Sequence, residues 1–365
     1  MPLPTRVQLV LLELAAAAVV AGIAAGGAWL WVGVVAAAVL LALAAVPVHR
    51  RWLYQLSLSW LSMLRRRQAV RGPGLQSLFG GYQIVTVPPG SQGTPFGAVR
   101  SGTTWSLPLE LALDGVCNDD APVSVEQLAA LLRVEDVPLA SVRLLTVYSP
   151  ARVAAGAPAG PVPPPARVTM RYCVLTVDSA LAATAVADRG GTEAALQQIL
   201  RRCALRCEQI LAAAGVRVRR LDERAVGALF TTCLGPAELR PDNSLPPTAE
   251  RWSDITVAGT WSTSFVVSGS GPEVPDALAR VAATAPAAVA VSTLLLQRLG
   301  PREELAATLL LRLSGPGATP DAAALSAVLL RAQSVGLLMQ RLDGEQGRLL
   351  RASTPVGVGV GTWQA

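Results

Sequence analysis

Residues able to do chemistry are scarce in this sequence, and their types exclude more than they allow. The 365-residue chain carries 31 positive side chains, every one an Arg, against 25 acids and a single His, His49. Without Lys there is no P-loop, whose Lys must reach the phosphates, and no Schiff base. One His leaves no Ser-His-Asp or Cys-His machine unless His49 serves it, and no His-rich metal site. The cysteines (Cys117, Cys173, Cys203, Cys207, Cys233) are odd in number and scattered, which is no disulfide framework. Cys203 and Cys207 fall four apart on one face of an expected helix. They lack a CxxC or His partner and read as small buried hydrophobes, and reduced thiols suit the cytoplasm. Asp119-Asp120 and Glu303-Glu304 are adjacent acids that point apart. Ser268-Gly269-Ser270-Gly271 is a turn, because a nucleophile elbow needs GxSxG. The GxGxG of Gly357, Gly359 and Gly361 is followed by neither a helix nor an acidic residue about 20 positions on, so it is no dinucleotide fingerprint. The expectation is a chain with no catalytic, cofactor-binding or metal-binding residues and no small-molecule substrate.

The composition says where the chain sits. It is 52% hydrophobic and 15% charged, with a mean hydropathy of +0.43, whereas soluble domains carry about 25% charged residues. No charged residue occurs from Leu14 to Val48. That run exceeds the roughly 20 residues of one bilayer span and fits two, split near Gly26-Gly27. Trp29 and Trp31 come just after the break as interfacial rings. A cleaved signal peptide is the competing reading, but the apolar run continues well past Ala24-Ala25-Gly26. Arg6 precedes the first span, and Arg50, Arg51, Arg65, Arg66, Arg67 and Arg71 come after the second. The positive-inside rule therefore places both termini and the soluble region in the cytoplasm, with the hairpin in the inner (plasma) membrane.

Contacts with lipid or partner helices are expected from the residues that break the apolar pattern. Glu13 is a carboxylate within the first span, costly unless it snorkels or pairs with a partner helix. Gly22 and Gly26 form a GxxxG that permits close helix approach. Trp52, Leu56, Trp60 and Leu64, with Leu53 and Met63, recur at helical spacing between arginines. They predict an amphipathic helix for the membrane surface or a partner, with Arg65, Arg66 and Arg67 drawn to anionic lipid. With the arginines around the spans and Glu13 set aside, the remaining charges balance, so a pI near 9.5 makes no case for nucleic acid.

Beyond Gly72-Pro73-Gly74 the pattern is α/β. Strands are expected at Tyr82–Val87, Gly97–Arg100, Thr104–Leu113, Val142–Tyr148, Val168–Val177 and Val216–Leu221. Helices are expected from Ser124 to about Arg133, from Thr192-Glu193 to Gly215, and from Asp222 to about Cys233. Six prolines within Pro150–Pro165 predict an exposed loop. The last third reads strand Trp261–Ser268, helix Asp276–Thr284, strands Ala288–Arg298 and Glu304–Leu313, helix Asp321–Gln340 and strand Gly347–Ala352. That is the βαββαβ, ferredoxin-like order. The expected fold class is α/β (α+β), with mixed sheets and a C-terminal ferredoxin-like part behind a two-helix transmembrane hairpin. The expected divisions are 1–48 (hairpin), 49–71 (juxtamembrane helix), 72–245 (first α/β region) and 250–365 (ferredoxin-like region).

This layout resembles the EccE component of actinobacterial type VII secretion (ESX) systems. Phe96-Gly97-Ala98-Val99-Arg100 with Gly102 is similar to the family's IGVV-x-D-G hairpin, with Ser101 where an acid is common. Arg171 to Leu211, with Asp178 and Gly190-Gly191-Thr192-Glu193, is similar to its central segment. Glu250-Arg251-Trp252 and Trp261–Val267 are similar to its late strand pair. The resemblance implies a non-enzymatic structural subunit of the inner-membrane complex, assembled with EccB-, EccC- and EccD-type subunits, the EccC type being the ATPase, and stabilising the assembly that exports WXG100-type proteins. The alternative is a membrane-anchored enzyme whose site uses a carboxylate, Ser or Cys without His.

Overall fold

The computed structural model describes residues 6–48, 51–69, 79, 81–90, 94–113, 123–150, 167–235, 248–271, 273–299 and 304–357. They form two compact units, Met1–Gln68 and Ala69–Ala365. In the first, α1 (Arg6–Ala25) and α2 (Ala28–Ala45) make a hairpin. The two-residue strands β1 (Pro47–Val48) and β2 (Arg51–Trp52) pair and lead into α3 (Leu53–Ala69).

The second unit is built on one antiparallel sheet of twelve strands. Its first half runs β3 (Gln83–Val87), β4 (Phe96–Ser101), β5 (Thr104–Leu113), α4 (Val125–Ala130), the short β6 (Arg133–Val134) and β7 (Val137–Pro138), β8 (Ser141–Pro150), β9 (Arg167–Asp178), α5 (Ala183–Ala187), α6 (Glu193–Ala212), β10 (Val216–Arg220) and α7 (Glu223–Leu234). The second half runs β11 (Ala249–Glu250), β12 (Ile255–Val257), β13 (Thr260–Ser268), α8 (Val274–Ala283), β14 (Val289–Leu299), β15 (Glu304–Pro316), α9 (Ala322–Ser334), β16 (Leu338–Arg341) and α10 (Gln346–Ala352).

Pairing exposes a duplication. The strands β16-β13-β15-β14-β8-β9-β5-β10 lie side by side with every neighbour antiparallel. Both β5-α4-β8-β9-α6-β10 and β13-α8-β14-β15-α9-β16 are βαββαβ units with strands in the spatial order 4-1-3-2, the ferredoxin-like plan. They join edge to edge through β8 and β14, the second strand of each. The expected ferredoxin-like part is therefore one of two. The sequence echoes this faintly: Thr104-Trp105-Ser106 and Thr260-Trp261-Ser262 both come after a glycine with positive φ, Gly102 or Gly259, separated from it in the first copy by Thr103. Arg220-Leu221-Asp222 and Arg341-Leu342-Asp343 end the fourth strands. In each unit the serine meets a hydroxyl on the third strand, Ser106 with Thr176 at 3.3 Å and Ser262 with Ser314 at 2.8 Å.

Period-two alternation sends Leu107, Leu109, Cys173 and Leu175 to one sheet face, under α4 and α6, and Phe265, Leu311 and Leu313 to the same face under α8 and α9. Each such buried Leu is worth about 1.5–3 kcal/mol of transfer. The other face carries Leu145, Val147, Val174 and Val291 against α7 and α10. Caps start the helices where the sequence provides them. Ser124 Oγ accepts from Gln127 N while Gln127 Oε1 accepts from Ser124 N, the expected capping box. Asp222 accepts from Ala225 N and Asp321 from Ala323 N.

Two elements differ from the sequence reading. Residues 346–352, expected as the last strand, are helix α10, and the fourth strand is Leu338–Arg341. Leu337 and Leu338 continue helical spacing, but Gly336 at φ 76° turns the chain out of α9 first. Likewise α4 stops at Ala130. Arg133-Val134 and Val137-Pro138 instead form a tiny ladder around Glu135, at φ 56°. Arg202 holds Glu135 at 2.5 Å, and Arg189 grips Asp136 with two nitrogens at 2.7 and 2.8 Å. The expected proline loop lies almost wholly outside the described residues.

Helix α10 is held at both ends by buried charge. The Glu250 carboxylate, 4% exposed, accepts from Gly347 N at 3.0 Å in the first turn. At the other end Arg143 Nη1 donates to the carbonyls of Arg351, Ala352 and Thr354 at 3.4, 3.1 and 2.8 Å. Arg312 Nη2 donates to Ser353 O at 3.3 Å and to Cys233 O at the end of α7. Anions at a helix start and cations at its end both complement the macrodipole. Glu250→Ala should therefore lower stability by about 1.5–3 kcal/mol through a lost charge-assisted bond. A thermal melt of the full chain in detergent, monitored by circular dichroism, tests this, and an unchanged midpoint would refute it.

Candidate membrane and partner interface

The hairpin has the dimensions of a membrane element. Val7–Ala25 and Ala28–Ala45 are each long and apolar enough to cross a bilayer, and only 17% of each is buried within the chain. At 1.5 Å per residue each helix reaches roughly 30 Å, the thickness of the hydrocarbon core. Gly26 and Gly27 make the turn with φ of 66° and 56°. Gly22 does lie at the helix crossing, but its partner is Gly33 of α2 rather than Gly26, which the turn consumes. A Cβ on Gly33 would sit 2.5 Å from the Ala18 carbonyl oxygen. Buried Ala15, Ala37 and Ala44 complete a small-residue seam, as close-packed membrane helices require. Gln8 satisfies its amide within the hairpin by donating to Ala44 O at 3.0 Å. Glu13 is exposed on α1.

Of the expected amphipathic stripe, Trp52 belongs to β2 and is half-buried, with its backbone N–H donating to Gln55 Oε1 at 3.1 Å. Leu56 and Leu64 are half-buried on α3, and Trp60 is exposed with Leu58 and Leu61. Tyr54, Ser59 and Met63 are the buried positions. Neither Tyr54 nor Ser59 stands out in the sequence, since each interrupts the Leu/Trp spacing. Arg65 is exposed at the end of this run. The side chains of Arg66 and Arg67 lie outside the described residues.

Reactive groups on the sheet unit are explained by their surroundings. Burial pushes the Cys203 thiol up to about 12 and the Cys233 thiol up to about 11. Cys207 is raised by its hydrogen bond with Cys173 and by burial. Such thiols are protonated and inert. The Arg189 fork holds Asp136 down at about 2. Asp136 lines a cleft of about 400 Å³ whose floor is Leu132, Leu139, Ala182 and Ala185, with Arg133 and Arg298 also on its walls. Among the described residues no group of three His, Cys, Asp or Glu side chains could hold a metal ion.

Residues 166–267 match the family model "Putative type VII ESX secretion system translocon, EccE". Over that segment the chain is similar to the EccE family. The match runs from β9 through α6 and α7 to β13, so it bridges the two ferredoxin-like units and takes in the Gly190-Gly191-Thr192-Glu193 segment. There Gly190 and Gly191 adopt φ of 96° and 67°, closing α5 and admitting α6. No curated protein matches the chain. By that description the matched segment of this chain is similar to a component of a type VII secretion translocon, a secretion-system part rather than a known enzyme family. The chain's two apolar N-terminal helices agree with a membrane location.

The seam predicts its own disruption. Gly33→Val should force α1 from α2, so cysteines substituted at Gln8 and Ala44 should cross-link several-fold less well in membranes. Equal cross-linking with and without Gly33→Val would refute the seam.

Proposed function

We propose that this chain is an EccE-type, non-enzymatic structural subunit of the type VII secretion inner-membrane complex, stabilising the assembly that exports WXG100-type proteins. The observation that carries the reading is the combination, in one chain, of the EccE match at residues 166–267 with a two-helix apolar hairpin. Both termini and the sheet unit lie in the cytoplasm. The support is the arginine distribution: Arg6 before the first span, Arg50, Arg51 and Arg65–Arg67 after the second, and none at the Gly26-Gly27 turn. The partners are EccB-, EccC- and EccD-type subunits and inner-membrane lipid. The contacts proposed for them are the hairpin around Glu13, Gly22 and Gly26, the helix from Trp52 through Leu56 and Trp60 to Leu64, and Arg65, Arg66 and Arg67.

A pull-down of the tagged chain in mild detergent from its own host, read by mass spectrometry, tests this proposal. A multi-span membrane protein and an FtsK-like ATPase should be recovered together with it. Purification of the chain alone, even after cross-linking, would sink the proposal.

Glu13 receives a sharper role. It is exposed on α1, whereas Gln8 finds its partner inside the hairpin. An acid in a span needs a polar neighbour, so Glu13 faces a partner helix. Glu13→Gln should shift most of the chain out of the complex on a native gel. A full complement of intact complex would refute the pairing and leave the carboxylate as a snorkelling group.

A further inference from the structure

The guanidinium of Arg143 is fully buried, yet only one of its nitrogens is used by the chain. Nη1 bonds the three carbonyls at the end of α10. Nε and Nη2, the pair that forms the side-on fork for bidentate acceptors, are enclosed without a partner among the described residues. Three polar side chains near this fork on the sheet are in the same condition, whereas Thr176, opposite Ser141, is satisfied by Ser106. Ser141 lies two residues earlier on the same side of β8, and its Oγ is unpartnered. Thr293 and Gln297 stand two residues either side of Leu295, the β14 residue paired with Arg143, and Thr293 Oγ1 and Gln297 Nε2 are unpartnered too. Neighbours and diagonals in such a ladder are about 4.5–8 Å apart, within reach of an Arg side chain. All four residues are at most 3% exposed.

Every one of these groups can donate a hydrogen bond, and no carboxylate touches the guanidinium among the described residues. The same face holds a second fully buried cation, Arg312, whose Nε is also unpartnered. Water could satisfy the polarity of such a cluster but brings no charge, and the roughly half negative charge at the end of α10 offsets only part of a buried guanidinium. We propose that this cluster, Arg143 Nε and Nη2 with Ser141, Thr293 and Gln297, binds a small monovalent anion of the chloride class between the sheet and α10. Chloride accepts from several donors without strong directionality and is small enough for an enclosed site.

The test is the thermal midpoint of the full chain in detergent, at constant ionic strength, as sodium gluconate is exchanged for chloride or bromide. A ligand that binds only the folded state should raise the midpoint by about 2 °C for each tenfold increase above its dissociation constant. Over a hundredfold range of halide the parent should rise by about 4 °C. Thr293→Val, which keeps the shape and removes the hydroxyl, and Ser141→Ala should each lose most of that rise relative to their own midpoint in gluconate. Equal midpoints in gluconate, chloride and bromide would overturn the proposal and leave water as the occupant. A full halide response in both variants would overturn the placement at Arg143. Crystals soaked in bromide should show an anomalous peak beside Arg143, and a peak only elsewhere would count against it.

Discussion

The cytoplasmic fold turns on how two buried guanidiniums are neutralised. Taking an arginine out of water costs several kcal/mol unless its charge is met, and no carboxylate meets Arg143 or Arg312 among the described residues. Burial lowers both to about 10. Their acceptors are the orphan carbonyls that every helix leaves at its C-terminus, where the macrodipole is worth roughly half a negative charge. Seven-residue α10 is far too short to persist alone. It stands because Glu250 fixes its start and both arginines fix its end. Arg143 comes from the first ferredoxin-like unit and Arg312 from the second, and Arg312 also holds the last turn of α7 through Cys233. The helices on this face are thereby stapled across the duplication.

Edge-to-edge joining has a second consequence. A free ferredoxin-like sheet exposes two edges, each a template for unwanted pairing. Pairing β8 with β14 over Val142–Tyr148 and Ala290–Leu296 removes one edge from each unit. At the outer edge of the first unit, β10 alternates buried Val216 with exposed Arg217 and Arg219, and charges on an edge strand discourage further pairing. A single stiff sheet results, with loops and helix ends as its variable parts. That is a suitable body for a subunit whose proposed work is to hold others in place.

How much of this is legible in the sequence depends on the range of the interaction. The hairpin, the capping box at Ser124, the strands flanking Gly102 and the βαββαβ order of the last third arise from local pattern, and the chain adopts them. The first ferredoxin-like unit is harder to see, because its strands are separated in the sequence by unpatterned stretches such as the Pro-rich run from Pro150 to Pro165. Only Thr-Trp-Ser and Arg-Leu-Asp repeat, and a three-residue echo is a weak signal without the pairing. Helix α10 escapes a local reading for a different reason. Its start is fixed by Glu250, 97 positions before Gly347, and its end by Arg143, 209 positions before Ala352. No window of sequence contains that cause. The Gly22–Gly33 crossing is hidden because GxxxG looks along one helix, whereas the seam joins two.

Strongly perturbed ionisable groups often mark active sites, and the perturbations here have another origin. Arg143 and Arg312 are shifted by burial and present no exposed surface on which a substrate could be bound and turned over. Cys203 and Cys233 are shifted upward, away from the reactive thiolate. Asp136 is shifted downward by Arg189 as it pins a hairpin whose Glu135 carries a positive φ. Each perturbed group thus acts on the fold that surrounds it. The surfaces that remain for work on other molecules are apolar: a hairpin with 17% of each span buried, and a helix presenting Leu58, Trp60 and Leu61. Apolar surface of that extent is stable only against lipid or other proteins, which is where the proposed translocon role has the chain make its contacts.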